Sequence, residues 1–478
     1  ISRSSSKQRI DGCNLTRKTL SQLLAAFVAD LRFEDIPDEV VHDAKFRILD
    51  VIGCALCGSV EASSKKILDL VTDLGGRPES TIIFHRDKCS LTNAALVNGT
   101  MAHAVELDDD HRTATAHPGV VAIPAALAIG EKENVTGRTL IASTVVGYEI
   151  LCRIGMAALP FGGFTLIDRG WHATGPCGAF GAAAAASKIL ELDQSKTAYA
   201  LGIAGSQASG LYQFIAESSW VKRFHAGWAS SAGIIAALLS QRGYTSPLSI
   251  LEGKLGFYHA FVDDKFDARK LTKNLGRTFE IAKTAHKPYA GCDASHALID
   301  AAIGCVEENN IAIEEIESIE GRTNKHLASI VAGKSPRKYT PQSVLDAQFS
   351  AYYVMSLGMI FHRVLWDELS QNLSNPKVLE LAKKIKVVAD PKFDKGYPEL
   401  WGAAVTIRTK GGRKFTYAVK TAKGDPMRTP MTDEELKVKF RTLASKVLGT
   451  DQIEQIIKTV EDLDKLGQID TLTNMLRP

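Results

Sequence analysis

Apolar residues recur at helical spacing along most of this chain and at strand spacing in one stretch only. Thr16–Leu31 (TRKTLSQLLAAFVADL) places them every three or four positions, the mark of an amphipathic helix. Ile36–Pro37–Asp38 opens a second helix, with Pro37 early in its first turn. Its continuation, DEVVHDAKFRILDVIGCALCG, is apolar nearly all round. A short β-like piece, Ser80–His85, precedes a helix over Leu91–Leu107. Further helices are predicted over Val120–Lys132, Gly137–Gly155, Gly175–Leu192, Ser195–Gln207 and Gly227–Arg242. Several are runs of Ala and Gly, such as GAFGAAAAASKIL and WASSAGIIAALLS. A helix apolar on all sides is a buried one, and small residues let its neighbours approach closely. The pattern predicts a helical bundle with fully interior helices.

The texture changes near residue 283. Ile313–Thr323 and Lys384–Val388 lean toward strand alternation, and Ala403–Thr409 and Lys414–Val419 flank Gly411–Gly412, a hairpin signal. Helices over Pro341–Phe361 and Pro376–Lys384 sit among these strands. From Thr432 the chain turns helical again, with T-D-E-E as a capping start. The fold class expected is mostly α: a large helical domain over 16–282 and 426–478, with a smaller α+β lid over 283–425 inserted between. A chain of 478 residues exceeds what one core holds, which agrees with two domains.

Composition narrows the classes. A hydrophobic fraction of 45% with 23% charged residues is that of a globular protein, and a net charge of +3 gives no nucleic-acid footprint. No apolar run approaches the ~18 residues of a membrane helix, so no membrane partner is expected. Neither a fixed-period repeat nor a G-x-G-x-x-G between strand and helix is present, which argues against a dinucleotide fold. Eight cysteines are too few for a disulfide scaffold. Cys54 and Cys57 form a C-x-x-C without a second pair, inside an apolar helix, and read as core packing. Reduced thiols imply an intracellular location, cytoplasmic or, in a eukaryote, mitochondrial. The basic, Ser-rich opening ISRSSSKQR has the composition of a transit-peptide fragment or an expression remnant.

The chemistry gathers in polar islands at helix edges. His103–Pro118 (HAVELDDDHRTATAHP) holds Glu106, Asp108, Asp109, Asp110, His111 and His117, too polar for a core helix. The apolar run VVAIPAALAIG follows it, so a buried helix starts at the motif and turns its N-terminus, suited to anions, toward it. His172 stands before an Ala-rich helix; taken alone it reads as a satisfied core histidine. Lys222, Arg223 and His225 precede another buried helix, as an anion site or as a pair bridging to Glu217 or a helix C-terminus. Lys287 lies in a Pro-constrained turn, with Cys292, Asp293 and His296 behind it; Lys287 as an anion contact is the better assignment, since a metal set lacks partners. Arg337–Lys338–Tyr339 is a further basic island, by default an exposed one. Convergence of these islands at the domain junction would make a cationic cleft with interspersed carboxylates, suited to a polycarboxylate.

With AHAVELDDDH…HPG, GWHATG, SWVKRFHAGWAS, KPYAGCDASHALIDAA and KYTPQSVLDAQFSAYY assembled, the chain resembles the MmgE/PrpD family over nearly its whole length. That family includes 2-methylcitrate dehydratase, cis-aconitate decarboxylase and iminodisuccinate epimerase. The resemblance implies a helical domain built from both chain ends, an inserted α+β lid, a homodimer, a site between the domains, and no metal or organic cofactor. Carried over by motif, the catalytic positions are Glu106 or its neighbour Asp109, His117, His172, Lys222 and Lys287. Asp110, His225, His296 and Lys338 are candidate substrate contacts.

The family reactions share a carbanion-like species beside a carboxylate, and fixed cations would stabilise its charge. Lys222 and Lys287 take that role, His172 transfers the proton, and His117 is a second acid/base or a substrate contact. Two departures from the family pattern stand out: Asp293 after the Cys of the KPY motif, and the His111–Ala116 link. Both leave room for a smaller, less charged or amine-bearing acid. The leading expectation is a cofactor-independent lyase of a small (poly)carboxylic acid, by dehydration, slightly ahead, or decarboxylation. The alternatives are an epimerase or isomerase using the same carbanion, or a non-catalytic family member.

Overall fold

The computed structural model describes residues 18–158 and 165–478. The opening segment and the FGGF loop lie outside the described residues. The longer helices are α1 (Leu20–Asp30), α2 (Asp38–Gly58), α3 (Ala62–Leu74), α4 (Leu91–Ala102), α5 (Gly119–Glu133), α6 (Gly137–Ala157), α7 (Thr174–Ile189), α8 (Gln194–Gln207) and α9 (Val221–Gln241). After them come α10 (His296–Glu308), α11 (Ala351–Phe361), α12 (Asp433–Ala444) and α13 (Thr450–Glu461). Among the described residues the fold is mostly helical, with a four-stranded sheet and a short two-stranded one.

Local chemistry sets the helix ends. Thr19 caps α1 in a reciprocal box with Gln22, and Thr432 caps α12 in the same way with Glu435. Pro37 stands one residue before α2 rather than inside its first turn. Of the β-like piece at 80–85, only Ser80–Thr81 forms a strand, pairing with Lys88–Cys89. The helix expected over Leu91–Leu107 stops at Ala102, and Glu106 takes the left-handed backbone region at φ 57°. Five buried polar residues in a row cannot extend a core helix; they turn away to find partners. α9 begins at Val221, six residues before the predicted start at Gly227, so Lys222, Arg223 and His225 lie in the helix itself. Cations at a helix N-terminus oppose its dipole; here buried partners offset that cost.

One core runs through α1, α2 and α4 to α9 and takes in α12 and α13. On α12, Lys439 reaches Asp50 of α2 at 2.7 Å, and Phe440 covers Gly53. Close crossing depends on small residues: a Cβ on Gly99 of α4 would lie 2.8 Å from the Gly227 Cα of α9. Cys54 and Cys57 are buried free thiols within α2. Helix α6 meets the length and composition of a membrane span, with a mean hydropathy of 1.4, contrary to the sequence expectation. Its most apolar window is 94% buried inside the protein, the position of a core helix.

The sheet comprises β1 (Ile316–Thr323), β2 (Ile385–Ala389), β3 (Ala403–Thr409) and β4 (Lys414–Val419), in the order β2-β1-β3-β4. β1 pairs in parallel with β2 and antiparallel with β3, and β3–β4 is the hairpin at Gly411–Gly412. Ile313–Glu315 is a single 3₁₀ turn leading into β1. The predicted helix over Pro341–Phe361 is two, Val344–Gln348 and α11, separated where Ser350 caps the second. A second core joins α10 and α11 to the inner face of this sheet.

Candidate active site

A cavity of about 70 Å³ lies where the loop after α4, the starts of α7 and α9, and the segment 287–294 meet. Its lining includes Glu106, Asp110, His117, His172, Lys222 and Lys287. Phe349 and Trp401, from the sheet-bearing part of the chain, close it. Six of the sequence-predicted residues therefore converge.

Glu106 is the electrostatic centre. The Lys222 ammonium hydrogen-bonds both of its carboxylate oxygens, and Lys287 donates to Oε1 at 3.4 Å. Burial alone would raise the Glu106 pKa, but Lys222 and Lys287 outweigh it and hold the carboxylate well below its usual range. Burial pulls the fully buried Lys287 down; Glu106 and Asp108 overcome it and raise it. Lys222 also lies 5.3 Å from the centre of the Phe349 ring. The anion site expected around these lysines is thus filled, in this state, by the protein's own carboxylate.

Three imidazoles stand beside this group. Ring centres are 4.8 Å apart for His103–His117 and 5.9 Å for His103–His172, the second pair stacked. His103 Nδ1 bonds Asp108 at 3.0 Å, and His117 Nδ1 donates to the Asp109 carbonyl at 2.8 Å. His172 Nδ1 meets His225 Nδ1 at 3.1 Å. In His103 the second nitrogen, Nε2, is buried and has no hydrogen-bond partner among the described residues. Burial lowers the pKa of all three; Lys287 adds to this at His117, and His225 and Lys222 at His172. His225 is pushed down to about 4, chiefly by burial. Burial thus favours the neutral form of each, the form that accepts a proton. His103 was not among the predicted residues. Its signal was position: it opens the acidic motif fourteen residues before His117.

Ring or carboxylate atoms of His103, His117 and His172, and of His103, Glu106 and Asp108, fall within 4.8 Å of one another, a spacing a divalent cation would accept. The same pocket holds the ammonium groups of Lys222 and Lys287, both paired with Glu106.

Other predicted residues fall outside the cavity. Asp109 turns into the core: its carboxylate accepts from Tyr148 Oη at 2.6 Å and from the Gly119 amide at 3.0 Å, with Arg47 at 3.7 Å. It therefore occupies the N-terminus of α5 that the sequence offered to an anionic ligand. His296 binds Asp293 at 3.1 Å and the Gly291 carbonyl at 3.3 Å. Lys338 donates to the carbonyls of Ile330 and Phe349 and lines a separate groove. His225 is not among the lining residues and bonds His172, which is. Asp293 does line it, but Arg112 binds its carboxylate at 2.9 Å and, despite burial, holds it below the usual range. Arg112 was the other residue missed; a lone arginine in DDDHRT carried no spacing signal.

The buried pocket thus pairs two ammonium groups with a carboxylate beside three imidazoles, in a fold that is mostly helical. Residues 22–269 match the MmgE/PrpD N-terminal domain and residues 289–465 the MmgE/PrpD C-terminal domain, and the chain belongs to the MmgE/PrpD family. It is 29% identical to the cis-aconitate decarboxylase-like protein oryM of Aspergillus oryzae, over 95% of this chain and 96% of that protein. Identity to the cis-aconitate decarboxylase of Aspergillus terreus is 28%, over 94% of each chain. For the mouse (Mus musculus) cis-aconitate decarboxylase it is 27%, over 96% of this chain and 94% of the relative.

Proposed function

We propose that this protein is a cofactor-independent lyase of a small carboxylic acid, acting through a carbanion-like intermediate. The observation that carries the reading is the convergence of Lys222 and Lys287 on one buried carboxylate beside His103, His117 and His172. A substrate carboxylate would take over part of the lysine contacts now made by Glu106. In decarboxylation the C–C bond to the departing carboxylate breaks and CO₂ leaves. The electron pair stays on carbon and delocalises toward a retained carboxylate held by the two ammonium groups. In dehydration a base takes the C–H proton, and the C–O pair leaves with oxygen, which departs as water after protonation. His172, backed by His225, passes the proton, delivering one drawn from water to the carbanion in decarboxylation and taking one from carbon in dehydration. His117 serves as the second acid/base or substrate contact. Decarboxylation moves ahead of dehydration here, because the relatives are named for it.

In the same reading the segment 283–425 is a lid on a helical body formed by 16–282 and 426–478, since the cavity takes lining from both. The protein works as a homodimer. Leu211, Trp220, Val221 and Trp228 are 59%, 51%, 44% and 39% exposed around the start of α9, an apolar surface that a second subunit would cover.

Proton NMR of the purified protein with 2-methylcitrate, cis-aconitate, iminodisuccinate and simpler hydroxy acids in D₂O tests the activity. An alkene formed with loss of CO₂ or water is the expected result. Deuterium exchange at an α-carbon without elimination would instead make it an epimerase, and no change in any acid would count against catalysis.

A further inference from the structure

We propose that Asp110 determines specificity: it presents an un-ionised carboxyl to the substrate, so the preferred acid carries fewer carboxylates than a tricarboxylate and offers a hydrogen-bond acceptor there. This rests on the carboxylic-acid lyase reading and narrows its substrate. Asp110 is held rigidly, its amide donating to the Ala285 carbonyl at 3.0 Å and its carbonyl accepting from the Ala285 amide at 2.8 Å. Its side chain lines the cavity, and Oδ2 is buried with no hydrogen-bond partner among the described residues. An ionised carboxylate in that position would lack the partner that burial demands. A carboxylic acid there is instead a donor waiting for an acceptor.

The groups around it are named by geometry and field. Asp293 and Lys287 face it from the segment after Ala285, and Asp109, Arg112 and His117 from its own loop, His117 Nδ1 at 3.7 Å. The phenols of Tyr212 and Tyr397 are also within its field. Burial and then Asp293 push the Asp110 carboxyl up to about 8, against the pull of Lys287 and Arg112. Neither cation is available to it. Lys287 is committed to Glu106, and Arg112 to Asp293 at 2.9 Å and Asp425 at 2.8 Å.

The same accounting limits the substrate. Lys222 and Lys287 answer Glu106 and Asp108, Arg112 answers Asp293 and Asp425, and the cavity histidines are neutral. Substrate carboxylates can therefore be met only by sharing Lys222 and Lys287 with Glu106, two ammonium groups for two carboxylates. Among the described residues of the cavity a third would go uncompensated, and an uncompensated buried charge is expensive. The sequence placed the extra negative charge at Asp293. In the fold Asp293 is neutralised, and Asp110 is the carboxyl that meets the ligand.

The test combines infrared spectroscopy with kinetics on wild type and Asp110→Asn. The difference spectrum at pH 6.5 should contain the carbonyl stretch of a protonated carboxyl, lost by pH 9.5. Wild-type kcat/KM should favour dicarboxylates over tricarboxylates by about tenfold or more, and fall about tenfold per pH unit above 8 as Asp110 ionises. Asp110→Asn should keep the order of acids and lose that alkaline fall. Absence of the protonated band at pH 6.5, or preference for a tricarboxylate, overturns the proposal. Should no acid turn over while the band is present, the lyase reading fails; calorimetric binding of the same acids then decides the charge preference on its own.

Discussion

Two clusters of buried charge are centred three residues apart in sequence, on Asp109 and Glu106. Around Asp109, the phenol of Tyr148, the Gly119 amide and Arg47 take up the carboxylate, while Arg47 also holds Asp43 and the Thr284 carbonyl. Around Glu106 two lysines converge, yet Oδ2 of Asp110 and Nε2 of His103 remain open among the described residues, beside a cavity. Both clusters keep buried atoms without a hydrogen bond among the described residues, Arg47 Nε and Nη1 and Asp43 Oδ2 in the Asp109 cluster among them. What separates the two is that the Glu106 cluster borders a cavity and the Asp109 cluster is enclosed by protein.

The sharpest way to break that contrast is Arg47→Met. It strands Asp109 and Asp43 in the core and should cost about 3–5 kcal/mol of stability, read by denaturant unfolding. A loss below about 1 kcal/mol would mean the Asp109 cluster is not structural. Next in size, Lys222→Met should lower kcat by roughly 10²–10³ in steady-state kinetics, the magnitude seen when one fixed donor to a developing anion is removed. It also leaves Lys287 to hold Glu106 alone, so a modest loss of stability is expected with it.

The pH profile sharpens the comparison further. His172 and His117 have pKa values well below 6.5, from burial first. In dehydration they act as neutral bases and lose activity only as pH falls through the lowered values, so the acid limb of kcat/KM should lie clearly below pH 6.5. In decarboxylation they pass a proton to carbon, and no loss is expected on that side above the lowered values. The same shifts act on stability. Between the lowered folded values and the unfolded 6.5, the unfolded chain binds more protons, so stability rises with pH in that window and falls as pH drops. An acid limb centred at or above 6.5 would contradict the neutral imidazole assignment. The smallest effect belongs to Lys338→Met. Its ammonium serves two carbonyls outside the cavity, so stability should change by about 1 kcal/mol and KM little.

Much of this was legible in the chain. The hairpin at 403–419 and the capped start of α12 follow from local turn and cap chemistry, and the motif-bearing islands pointed to the residues that meet in the cavity. Direction was not legible. In a run of three aspartates, side chains that differ by one position point to a core arginine, a histidine and a cavity, and no periodicity encodes that once the helix has ended at Ala102. The early start of α9 was hidden for a related reason: Lys222 and Arg223 read as an anion site, or a pair bridging to Glu217, standing before a buried helix. Only the fold shows that they lie in it, with Glu106 and Ser63 as partners.

The central claim, that the cavity cluster works and its neighbour holds the fold, is tested most directly at His172. Turnover and thermal unfolding of His172→Asn should be measured beside wild type, with the acid that wild type consumes. The account predicts a loss of kcat of about 10²–10⁴ with the unfolding midpoint nearly unchanged. Wild-type turnover in that variant would contradict it.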